Sequence, residues 1–181
     1  MRIAIDPSVV ASNFAKFKTH GSLAESAQLF ARGLPVAEML QAMSMNANVL
    51  QAFTGFDAVY PHGTLERPLV EKVILRVSEL HDCQFCVNSH LDMMRALGVD
   101  ARLDDPRALT AREAVALAYA AAVTRDSNRV PDALFESLRS LMTDAEIVEL
   151  TFVIGLITML NRFNNALQVR YSHEFAQVQV Q

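Results

Sequence analysis

Apolar residues recur along the chain at spacings of three and four, and helix-capping residues bracket them almost throughout. Ser22-Leu-Ala-Glu25 forms a capping box, in which the serine and the glutamate each bond the other's free backbone N–H. Gly33 stops that helix, and Pro35 suits the first turn of the next, which extends to about Phe53. The stretch 56–64 carries Gly, Pro and His and predicts a loop. Pro68 opens a helix toward Leu80, and Asp82 caps another that ends at Gly98. The stretch 99–109 is a connector. Thr110-Ala-Arg-Glu113 and Thr143-Asp-Ala-Glu146 are two further capping boxes, and Pro131 or Asp132 starts a shorter helix between those they open. The last helical pattern is the longest, reaching roughly Val169. Alternation of period two is weak, no repeat or linker divides the chain, and the first ten and last ten residues are expected to be extended or mobile. The pattern predicts an all-α protein of six or seven helices in one domain over residues 1–181.

Two segments are apolar on nearly every side: LTFVIGLITML, and MLQAMSMNANVLQAF with Met39, Met43 and Met45. A helix apolar all round must be covered all round. Either a subunit interface or a central position within the chain would do this.

Composition narrows the class. The chain is 51% hydrophobic with a formal net charge of −4, enough apolar mass for a core and no basic cluster for nucleic acid or an anionic membrane surface. The opening MRIAIDPSVVASNF lacks the pattern of a secretory signal, and the apolar run from Ile147 to Leu160 contains Glu149 and is too short to span a bilayer. A soluble cytoplasmic protein is expected. There a cysteine pair is better suited to redox chemistry or metal binding than to a permanent bridge.

The only two cysteines lie in HDCQFCVNSH. On a helix opening after Asp82, Cys83, Cys86 and His90 fall within roughly 60° of one another. Cys86 and His90 are i and i+4. The first turn of a helix favours an anion, hence a thiolate. Glu71 lies off the centre of a core stripe of Leu69, Val73, Val77 and Leu80, where it can meet the cysteine helix and orient His90. The imidazole one turn away favours Cys86 as the attacking thiol, with Cys83 more exposed as the resolving thiol. The helix dipole favours Cys83.

Glu71, then eleven residues, then Cys83-x-x-Cys86, then three residues, then His90 resembles the Glu-x11-Cys-x2-Cys-x3-His pattern of the alkylhydroperoxidase AhpD-like, or carboxymuconolactone decarboxylase-like, proteins. RPLVEKVILRVSELHDCQFCVNSHLDMMRALGV resembles their core hairpin over 65–99, and NRFNNAL resembles their closing helix. The resemblance implies an all-α fold assembled as homo-trimers or hexamers. It implies a thiol-dependent peroxidase with no bound cofactor or metal, in which Cys83 and Cys86 are the redox pair and Glu71 and His90 a proton relay. Its partners would be a small hydroperoxide and a dithiol reductant of the lipoyl or thioredoxin type. The alkylhydroperoxidase carries a further histidine between its cysteines. Here that place is Phe85, and His81 is the candidate accessory that could substitute. The decarboxylase that names the family acts on a lactone acid without the cysteine pair, so the pair argues against that reaction.

Two other classes remain. One is a non-enzymatic thiol switch. The other is a zinc-bound structural module using Cys83, Cys86, His90 and either His81 or Glu71, although three ligands on one helical stretch suit tetrahedral zinc poorly. Of the other histidines, His62 is expected on a surface loop, and His20 and His173 at exposed ends. The methionines are expected to fill core or interface, and Phe53 and Tyr60 to pack the core or wall a pocket. Asn161 and Asn164 are expected to bond across a helix contact, the alternative being that they approach the site.

Overall fold

The computed structural model describes residues 1–17, 19 and 21–173. The Ser22 side chain of the first capping box, His20 and residues 174–181 lie outside the described residues. Nine α-helices occur among the described residues: α1 Pro7–Phe14, α2 Gly21–Ala31, α3 Glu38–Ser44, α4 Ala47–Thr54, α5 Arg67–Leu80, α6 Gln84–Ala96, α7 Ala111–Asp126, α8 Asp132–Arg139 and α9 Asp144–Leu167. No strand occurs among them.

Two helices exceed the six or seven expected, and both have local causes. Residues 7–14 are not extended. The Asp6 side chain accepts from the backbone N–H of Ser8 and Val9, and Pro7 takes the first turn, where a missing N–H costs nothing. The segment expected to run unbroken from Pro35 to Phe53 is two helices. Asn46 accepts from the N–H of Asn48 and Val49, starting α4 afresh and ending α3 at Ser44. The boxes at Thr110 and Thr143 form as expected, each with both reciprocal bonds.

α5 is the centre of the bundle and packs against α6, α7 and α9. Its buried residues run Leu69, Val70, Glu71, Lys72, Val73, Ile74, Leu75, Val77 and Ser78, leaving almost no solvent face. Full burial of each Leu, Val or Ile stabilises by about 1.5–3 kcal/mol, and that gain offsets two charged groups taken inside with them. One of these, Lys72, reaches Glu113 of α7 at 2.7 Å. The other is Glu71.

Of the two places open to the last helix, a subunit interface or the centre of the chain, the central one therefore belongs to α5. α9 is two-sided. It buries Ile147, Leu150, Val153, Ile154 and Ile157 against the bundle and presents Val148, Phe152 and Met159 outward. Phe56 lies 6.1 Å from Phe152, centroid to centroid, so the 3-10 turn Gly55–Ala58 covers part of that outer face. Glu149 accepts from the N–H of Thr64 (2.8 Å) and Leu65 (2.9 Å), which fixes the loop after α4 to α9. A Cβ at Gly63 would lie 2.1 Å from Glu149 Oε1 and 2.6 Å from the Val59 carbonyl, so only glycine fits under that clasp.

Candidate active site

The hairpin α5–α6 turns at His81-Asp82. Asp82 does not cap α6. It sits at φ 51°, a left-handed conformation that aspartate tolerates, and so delivers Cys83 to the capping position. The Cys83 sulfur accepts from the Cys86 N–H at 3.4 Å. Both cysteines are reduced and buried, Cys83 at 0% and Cys86 at 3% exposure. The expectation of a more exposed Cys83 is therefore wrong: capping draws its side chain back over the first turn and under the hairpin.

The two sulfurs have opposite electrostatics. The Cys86 thiol donates to Cys83, holding the Cys83 thiol below its usual range against the cost of burial. The N–H groups of Cys86 and Phe85 and the amide of Asn164 add to this. Cys86 is pushed far up, because its proton is committed to Cys83 and it is itself buried. The arrangement favours ionisation at Cys83 over Cys86, the direction that the helix dipole alone would give.

Glu71 is fully buried, one helix away. Its Oε2 meets His90 Nδ1 at 2.6 Å. Its Oε1 accepts from Arg67 Nε at 2.5 Å and from the Tyr60 hydroxyl at 3.0 Å. Arg67 Nη2 donates to the same hydroxyl at 2.9 Å, with the guanidinium carbon 4.5 Å from the Tyr60 ring centroid. Burial pushes the Glu71 carboxyl up, but the charges and hydrogen bonds of His90 and Arg67 outweigh it, and the net direction is down. Burial and the Glu71 charge raise Tyr60 well above the usual tyrosine range, so it remains a donor. A carboxylate so held cannot swing, and it fixes one nitrogen of His90 and leaves Nε2 for chemistry.

Acid should therefore undo this cluster. Glu71 has a lower pKa folded than its ordinary value of 4.5. Its contribution to stability is complete above that value and is lost as pH falls through the lower, folded pKa. In urea titrations from pH 6 downward, the wild-type midpoint should fall more steeply below about pH 4.5 than that of Glu71→Gln. Parallel curves would show that Glu71 carries no such linkage.

Arg67 was missed although it stands at i,i+4 to Glu71 on α5, a spacing at which two side chains meet; what the sequence does not report is that the pair closes over a buried carboxylate. Tyr60 was expected to pack or to wall a pocket, but it also bonds Glu71. His81 faces α9: its Nδ1 accepts from Asn161 at 3.2 Å and its carbonyl from Asn165 at 2.8 Å. Asn161 also accepts from Ser78 at 3.2 Å, a bond across helices as expected. Asn164 also bonds across helices, from α9 to Cys86 Sγ of α6 at 3.3 Å, and in doing so approaches the site. Phe85 stands edge-on to Tyr171 at 5.7 Å, and the Tyr171 hydroxyl donates to buried Asp92 at 2.8 Å. His62 is exposed. His173 is exposed too, though its ring lies 3.1 Å from Asp92. Among the described residues no three His, Cys, Asp or Glu side chains are grouped to hold a metal ion, and no helix is long and apolar enough to cross a membrane.

The Carboxymuconolactone decarboxylase family profile matches residues 47–136, which hold α4 to α8 and both cysteines. An uncharacterized protein of Bacillus subtilis (strain 168), YdfG, is 27% identical over 112 residues, 58% of this chain and 76% of its own. A peroxidase-related protein from Silicibacter sp. TM1040 superposes with TM-score 0.76 at 23% identity, over 99% of this chain and 95% of that one. A peroxidase-related protein with an alkylhydroperoxidase AhpD core, from Ralstonia eutropha JMP134, superposes with TM-score 0.77 at 19% identity, over 99% and 96%. At those identities the two structures establish the shared fold. Profile and fold agree, and the chain belongs to the carboxymuconolactone decarboxylase-like, AhpD-like family.

Proposed function

We propose that the protein reduces hydroperoxides through a Cys83–Cys86 thiol–disulfide cycle, with Glu71 and His90 handling the proton. The observation that carries this is the donor-fed Cys83 sulfur beside a thiol that can close on it, next to a buried carboxylate–imidazole pair at 2.6 Å. The Cys83 thiolate attacks the terminal oxygen of the hydroperoxide. An S–O bond forms, the O–O bond breaks, and Cys83 becomes a sulfenic acid. The departing alkoxide takes a proton from His90 in its protonated form, whose charge Glu71 balances. Cys86 then attacks the sulfenic sulfur. The disulfide forms, and the leaving hydroxide takes the Cys86 proton as water. A dithiol of the lipoyl or thioredoxin type returns two electrons and two protons by exchange.

A family that includes decarboxylases does not dictate this chemistry. The two thiols favour it, since decarboxylation has no use for them. Phe85 removes the family's inter-cysteine imidazole, which leaves activation of the thiol to the N–H donors around Cys83. The test is free-thiol loss on adding one equivalent of hydroperoxide, followed by turnover under a dithiol. Repeated turnover at a rate above that of free cysteine supports the enzyme. One stoichiometric oxidation without turnover supports a thiol switch instead, and no oxidation refutes both.

A further inference from the structure

Asn164 joins α9 to α6 and α3 through sulfur contacts. It is 1% exposed on α9, and its Nδ2 lies 3.3 Å from Cys86 Sγ and 3.5 Å from Met39 Sδ. A thioether can only accept, so the end of the amide facing Met39 is the NH₂ group and the other end is the carbonyl. That carbonyl, Oδ1, is buried and has no donor among the described residues. A buried acceptor left without a donor is costly and rare in folded proteins. The NH₂ bonds alone would be kept by a residue whose second polar atom reached solvent or a neighbour. The orphaned oxygen belongs to the same amide that touches Cys86, the neighbour of the attacking Cys83 sulfur, and this points to a donor that arrives with the reaction.

We propose that Asn164 is the peroxide-reading residue of the site, its Oδ1 accepting the terminal O–H of a hydroperoxide bound for Cys83 while its NH₂ group bonds the Cys86 sulfur. This rests on the peroxidase function proposed above and deepens it. The terminal oxygen of R–O–O–H is the atom that sulfur attacks, and its hydrogen is the one that needs an acceptor. When the S–O bond forms and the O–O bond breaks, that hydrogen stays on the transferred oxygen. The O–H bonded to Asn164 in the peroxide is then the S–O–H of the sulfenic acid. Sulfur is oxidised by two electrons, the peroxide bond is reduced by two, and the alkoxide is protonated from His90. One hydrogen bond spans the step without being remade, so the site is matched to oxidants carrying a terminal O–H. Burial of Cys83, Cys86 and Asn164 at 3% exposure or less limits what enters to that small end.

The test compares two oxidants on the same protein: hydrogen peroxide, which carries the O–H, and methyl methanethiosulfonate, which carries none but needs the same thiolate and the same access. The ratio of their second-order rate constants cancels any change in thiolate population. Asn164→Leu, close in size, should lower that ratio by about tenfold. Asn164→Asp keeps an acceptor oxygen and should hold it within about threefold of wild type, and this second variant serves if the leucine protein does not fold. An unchanged ratio in Asn164→Leu, or an aspartate variant that falls as leucine is expected to, overturns the inference while wild-type turnover stands. Wild-type protein that reacts with the thiosulfonate but with hydrogen peroxide no faster than free cysteine overturns the peroxidase function and this inference together.

Discussion

Glu71→Gln is expected to slow reaction with hydroperoxide by about two orders of magnitude, the lower part of what positioned proton transfer contributes. It should also lower the unfolding free energy by about 2–3 kcal/mol. Removing one partner of a buried ion pair costs about 3–5 kcal/mol, and one feature places this case lower. The Arg67 side chain is a quarter exposed, so water answers part of its charge. Glutamine keeps the shape and can still accept from Tyr60, but it cannot balance Arg67 and protonated His90 together. Stopped-flow oxidation and urea unfolding on the same preparation separate the two effects. Loss of stability at an unchanged rate would make the cluster a structural brace and end its role as a proton relay.

Serine replacements at the two cysteines should fail in different ways. Cys83→Ser removes the sulfur proposed to attack, and reaction with hydroperoxide should fall by about three orders of magnitude or more. Cys86→Ser keeps that sulfur and loses the one that closes on it. It should consume about one equivalent of hydroperoxide, show Cys83 as a sulfenic acid that dimedone captures, and then stop. Mass spectrometry reads both outcomes. A dimedone adduct on Cys86 in the Cys83→Ser protein, with none in the reverse variant, would exchange the two roles.

Helical content was legible because it is written locally: the boxes at Thr110 and Thr143 need only residues three apart, and both form. Asn46 was harder, since asparagine breaks a helix only where its side chain wins the competition for backbone N–H groups, and neighbours decide that. The meeting of Glu71 with His90 could be anticipated from spacing on a short hairpin, whose register leaves little freedom. The roles of the cysteines could not. Their exposure and hydrogen bonds depend on Asp82 taking a left-handed conformation, one dihedral angle that no periodicity reports. Arg67 stands four places before Glu71 on one helix, so that contact was open to reading, though the burial of the carboxylate was not. Which partner Asn164 takes depends on the fold, which brings Cys86 to it across 78 residues.

One rod serves as a common gauge for both halves of the candidate site. Near its start α9 holds the loop that carries Tyr60, through Glu149, and four turns on it sets an amide against the sulfur. A lengthwise slip or a rotation of that rod would therefore mistune the carboxylate cluster and the thiol pair in step. Damage far from either centre, along the inward-facing row from Ile147 to Ile157, can be felt at both.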